Sequence, residues 1–97
     1  MINVFYRVAS VEIWAHCKRD DAYYSPTEGV TITITDPAGT AQVEDAAMTE
    51  DEEGKFVYTY NIPSDGGTGW WQCEMIGQDG TDPDDKYAIG NVSFEVK

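Results

Sequence analysis

Reactive side chains are few in this 97-residue sequence, and their spacing decides what chemistry is open to it. The one histidine, His16, stands beside Cys17; the second cysteine is Cys73. In an extended strand, neighbouring side chains point to opposite faces, so His16 and Cys17 form no nucleophile–base dyad. Two cysteines and one outward histidine also do not make a tetrahedral metal set, so no metal centre is expected. Gly66-Gly67-Thr68-Gly69 is rich in glycine but precedes an expected strand rather than a helix, so no helix N-terminus is there to cradle phosphate. No G-x-S-x-G, H-E-x-x-H or P-loop spacing occurs. Most of the acidic residues lie in polar loops that would not raise a carboxyl pKa for acid catalysis. The sequence is therefore read as a non-enzyme with no cofactor.

What remains is charge. Eighteen acidic residues stand against 6 basic ones, a formal net charge of −12. Nucleic acid is an unsuitable partner for such a surface, because phosphate contacts need clustered Lys and Arg. A hydrophobic content of 41% is too rich for a disordered acidic tail. No apolar run is long enough for a transmembrane helix, so no membrane partner is expected. Met1-Ile2-Asn3 is not the start of a basic region followed by an apolar core. The reading therefore expects no signal peptide, and synthesis in the cytosol or assembly into a virion.

The elements that must position these groups follow from period-two alternation. Val11, Ile13, Ala15 and Cys17 share one face of a strand over 11–18, and Val30, Ile32 and Ile34 share one face of 30–35. Asp36-Pro37-Ala38-Gly39 is a turn, with Pro presetting φ and Gly accepting a positive one. A weaker strand over 40–48 leads to Glu50-Asp51-Glu52-Glu53-Gly54, read as a solvated loop. Strands follow over 55–62, with Phe56, Tyr58, Tyr60 and Ile62 on one face, and over 70–76, with Trp71, Cys73 and Met75 inward. The last runs over 87–96, with Val92, Phe94 and Val96 on one face, and 3–8 supplies an opening strand. About seven strands in one domain over 1–97 predict an all-β sandwich.

Val30–Thr40 (VTITITDPAGT) and Gly54–Cys73 (GKFVYTYNIPSDGGTGWWQC) make the chain resemble the immunoglobulin-like β-sandwich superfamily, in particular bacterial and viral Ig-like and macroglobulin-like modules. The resemblance covers about a third of the chain and implies a single Ig-like Greek-key sandwich of about seven antiparallel strands, labelled A to G in order. It brings no catalytic residues, since this sandwich carries many roles. It places Cys17 on strand B and Cys73 on strand F, where an Ig domain has its inter-sheet disulfide. Such a bridge would close about 57 residues and add about 4 kcal/mol; the alternative is two buried free thiols. Strand C lacks the Ig tryptophan, so Trp71 or Tyr58 must fill that space.

The same topology gathers the B–C, D–E and F–G loops at one end, with eleven of the 18 acidic residues. Among them are Asp20 and Asp21, Asp51 and Glu52, and Asp82, Asp84 and Asp85, beside Tyr23 and Tyr24. Three explanations stand: Ca²⁺ shared among loops, a basic partner surface docking with the two tyrosines as anchors, or a solvated, solubilising face. Lys86 and the missing glycine break the EF-hand pattern in 82–86. Trp14 and Trp70 fall on outward parity and suggest an interface or self-assembly. Asn91-Val92-Ser93 is a formal glycosylation sequon inside a strand. The resemblance implies a binding or structural module in a larger assembly, such as an accessory or decoration protein of a tailed-virus particle. The alternative is an excised domain of a secreted, adhesin-type protein, calcium-stabilised at its acidic end, with Met1 a cloning artefact.

Overall fold

A computed structural model describes residues 4–6 and 9–97, with the backbone alone described for Val4, Phe5 and Pro83. Ten strands follow in order: β1 (Val4–Phe5), β2 (Ser10–His16), β3 (Lys18–Arg19), β4 (Ala22–Tyr23) and β5 (Val30–Thr35). Then come β6 (Ala41–Ala47), β7 (Thr49–Glu52), β8 (Lys55–Asn61), β9 (Gly69–Gln78) and β10 (Lys86–Val96), with one 3-10 turn at Pro83–Asp85. Two sheets form a sandwich: five strands in the order β1-β10-β9-β5-β6, and three in the order β2-β8-β7. β3 and β4 make a separate hairpin.

The alternation seen in the sequence becomes the core. Val11, Ile13 and Ala15 of β2 face Ile32, Ile34, Cys73 and Met75 of the larger sheet, all buried. Ile32 and Ile34 are wholly buried, each contributing about 1.5–3 kcal/mol. Trp71 fills the centre, stacked on Phe94 at 5.8 Å between ring centroids and tilted against Tyr60 at 5.8 Å. Its indole N–H donates to Gly67 O at 2.9 Å, so the large ring is buried with its polar atom satisfied.

Several expectations need correction. The 11–18 strand stops at His16; Lys18 and Arg19 turn away into the β3–β4 hairpin, whose two-residue turn is Asp20-Asp21, both with positive φ. The 40–48 strand, read as D, pairs with β5 inside the larger sheet and so is a C′ strand. Strand D is instead β7, within the acidic run taken for a loop, and it pairs with β8. All four β7 side chains are exposed, so no apolar burial holds it, and alternation of apolar residues had nothing to report. Of the opening strand, Val4 and Phe5 pair in parallel with Glu95 and Val96; Asn3, Arg7 and Val8 lie outside the described residues. Val92 shares parity with Phe94 yet is 41% exposed.

Candidate protein-binding surface at the loop end

The segments between β2 and β5, between β7 and β8, and between β9 and β10 do meet at one end, and hydrogen bonds tie them together. Asp79 is the hub. It accepts from Thr27 N at 3.0 Å and from the Arg19 guanidinium at 3.0 Å, while Gly80 N donates to Thr27 Oγ1 at 2.9 Å. The Thr27 amide, with the Arg19 guanidinium, holds the Asp79 carboxyl below the usual carboxylate range. Glu50 accepts from the Ser25 hydroxyl and from Gly54 N. The Tyr24 and Tyr87 hydroxyls share a hydrogen bond, and burial with that contact pushes the Tyr87 phenol up.

Gly54 makes the closest approach. Its carbonyl accepts from Cys17 N at 2.7 Å, and its φ is +77°. A Cβ there would stand 2.8 Å from Cys17 O and 2.9 Å from Tyr24 N. Only glycine lets the β7–β8 turn pack under the β3–β4 hairpin.

The acidic residues singled out in the sequence take separate parts. Asp20 and Asp21 form the hairpin turn. Asp51 and Glu52 lie on β7, with Glu52 paired to Lys55 at 3.3 Å. Asp85 folds back to accept from Asp82 N at 3.2 Å, and Asp82 and Asp84 are exposed. Among the described residues, no three His, Cys, Asp or Glu side chains gather as a metal site would require.

The tyrosines are not bare anchors. Lys18 and Lys55 stand 4.7 and 4.9 Å from the centroid of Tyr23, and Arg19 stands 4.3 Å from that of Tyr24. Sequence reasoning counted the acids of this end and overlooked its cations: Lys18, Arg19, Lys55 and Lys86 are four of the chain's six basic residues. The signal was the placement of Lys18-Arg19 just before the tyrosine pair. His16 stacks edge-on between Trp14 (6.4 Å) and Tyr23 (5.9 Å). A strip of rings flanked by cations therefore runs along the outer face of the small sheet, with Trp14 41% exposed. Trp70, 52% exposed, lies on the outer face of the other sheet. The two tryptophans thus sit on opposite sides of the sandwich and cannot share one interface.

Cys17 and Cys73 are both buried free thiols, so the bridge implied by the resemblance is not formed here. They sit at different heights. Cys17 lies at the loop end, where burial and then the charges of Glu50 and Asp79 push its thiol up. Cys73 lies lower, in register with Ile34 and Val92, and burial pushes it to about 12.

No protein-family profile matches the chain, and no curated protein matches it. A solved structure does: the crystal structure of the Lin-41 filamin domain is similar at 16% identity with a TM-score of 0.66. The match covers 99% of this chain and 84% of that one. The fold is that of an Ig-like β-sandwich. At that identity the likeness speaks to fold alone.

Proposed function

We propose that the chain is a non-enzymatic Ig-like module that binds protein and contributes cohesion to a larger assembly. The observation that carries this is the exposed strip Trp14–His16–Tyr23 flanked by Lys18 and Lys55, since aromatic rings are enriched at protein interfaces and hot spots. The chemistry of the reactive groups supports the non-enzymatic part. Cys73 stays a neutral thiol at physiological pH, and His16 is exposed while Cys17 faces the core.

Within this reading, an accessory or decoration component of a tailed-virus particle is the setting we favour, in line with the resemblance to bacterial and viral Ig-like modules. An excised adhesin-type domain is the alternative; flanking capsid or tail genes support the first, and flanking Ig-like repeats the second. The covered tyrosine faces favour a partner that meets the cations over one that replaces them. Selection of binders from a displayed random-peptide library tests the site. Binders are expected to weaken at least about tenfold with Trp14→Ala or Tyr23→Ala, circular dichroism remaining unchanged. Binders indifferent to both substitutions would place the working surface elsewhere.

A further inference from the structure

Edges of β-sheets are templates for another strand unless guarded. β6 is guarded by two register shifts against β5 and by Asp45 at φ +50°. β7 is guarded by its brevity, three acidic side chains and a register shift. β2 has none of these devices. It pairs with β8 over seven residues without a register shift, and β8 is its only sheet partner among the described residues. Ala9 O accepts from Ile62 N and Cys17 N donates to Gly54 O, so odd-numbered positions turn their main chain toward β8. Ser10, Glu12, Trp14 and His16 therefore turn theirs to the open side.

At the loop end of this edge, a cavity of about 270 Å³ opens between the chain leaving β2 and the start of β10. Cys17, Tyr24 and Ile89 give it apolar and aromatic surface, and His16, Lys18 and Arg19 give it basic groups. Ligand sites for drug-sized molecules are roughly 300–1,000 Å³, so this one suits a single side chain. In a chain of net charge −12, Lys18 and Arg19 bring two cations to one cavity; Arg19 is paired with Asp79, and Lys18 has no carboxylate partner within salt-bridge distance among the described residues. Glu12, farther down the edge, is the one carboxylate of β2.

We propose that the β2 edge takes up an extended segment of a partner protein as an added antiparallel strand. A large apolar side chain of that segment enters the cavity, an acidic residue at the segment's amino-terminal end meets Lys18 at the rim, and a basic residue reaches Glu12. Main-chain pairing supplies affinity and the cavity supplies specificity. Strand and cavity together set the direction of the partner. Its amino-terminal end lies at the cavity, since antiparallel pairing places that end beside His16. This rests on the reading of the chain as a protein-binding module and narrows it to one edge.

The probe is a capped, fluorescent peptide of sequence Glu-Phe-Thr-Val-Thr-Lys. Saturable binding by anisotropy is expected, with amide shifts at Ser10, Glu12, Trp14 and His16. N-methylation of alternate peptide amides is expected to weaken binding at least about tenfold, because it removes strand hydrogen bonds. Lys18→Glu is expected to weaken it several-fold, and Glu12→Pro, which deletes one outward N–H, to abolish it. If Glu12→Pro unfolds the protein, Lys18→Glu and the methylated peptide still decide. No binding up to about 1 mM, indifference to N-methylation, or shifts on β6 and β7 instead would overturn the proposal. Concentration-dependent dimerisation removed by Lys18→Glu would also overturn it, assigning the edge to a second copy. Library binders that map to the Trp70 face would leave the module reading standing and the edge proposal refuted.

Discussion

Each end of the sandwich is organised by one carboxylate, and the two work at different ranges. At the turn end, Asp36 accepts from Ala38 N at 3.0 Å, Thr40 N at 2.9 Å and Gln42 Nε2 at 2.9 Å, all within six residues of itself. At the loop end, Asp79 accepts from Thr27 N and Arg19, across 52 and 60 residues. Both carboxyls are held below the usual range chiefly by a backbone N–H, that of Thr40 for Asp36 and that of Thr27 for Asp79. The chemistry is the same; what each bond restrains is not. Asp36 shapes a turn that local sequence already favours, whereas Asp79 joins loops that have no local reason to meet. Glycines repeat the contrast: Gly39 (φ +89°) has nothing within 4 Å of an added Cβ, and Gly54 (φ +77°) has three atoms within 3 Å.

The largest expected effect comes from this pair of glycines. Gly54→Ala suffers both the left-handed backbone and the clash with the Cys17 and Tyr24 main chain, and is expected to cost about 3 kcal/mol. Gly39→Ala suffers the backbone term alone, about 1 kcal/mol. Urea unfolding of both variants measures the gap; equal losses would erase the distinction between the ends.

Next in size are Asp79→Asn and Asp36→Asn. Asp79→Asn is expected to lower Tm by several degrees at pH 7 and to speed amide exchange at Thr27; Asp36→Asn is expected to disturb only 38–42. Both carboxyls have folded pKa values depressed below the unfolded one. Their contribution is thus fully present above about pH 4 and is lost as pH falls through the folded values. Each variant should therefore show a shallower acid limb of Tm against pH than the parent. An unchanged limb for Asp79→Asn would mean that the hub does not bear on stability.

The smallest effect lies between the ends, at Cys73. Its folded pKa, about 12, exceeds the unfolded value of about 9, so the unfolded thiol ionises first. Stability is expected to fall as pH rises above about 9, and Cys73→Ser should remove part of that slope. Thiol labelling gives a second readout: neither cysteine reacts in the native protein and both react in denaturant. A chain two hydrogens lighter, with no labelling in denaturant, would show the bridge that the resemblance implied.

Much of this architecture is readable in residue order. Val11–Ile13–Ala15, Val30–Ile32–Ile34 and Trp71–Cys73–Met75 announce their buried faces because a two-sheet core selects alternate side chains. β7 was illegible for the opposite reason: Thr49–Glu52 buries no side chain, and its strand exists only because β8 offers a free edge. The site was half legible. The meeting of acidic loops followed from topology, but the cations over Tyr23 and Tyr24 did not. They depend on a hairpin turned by Asp20 and Asp21, two residues that reach positive φ at modest cost.

By itself the sequence determined the net charge, the strand faces and the Asp36 turn, since each depends on residue identity or on neighbours within a few positions. The tertiary structure alone decided that Lys18, Arg19 and Lys55 cover the tyrosines. It alone set Cys17 and Cys73 at different heights, turned Trp14 and Trp70 to opposite faces, and left β2 with β8 as its one sheet partner among the described residues. Those outcomes depend on which segments lie side by side, and pairing across 50 residues is governed by register and loop closure rather than by local preference.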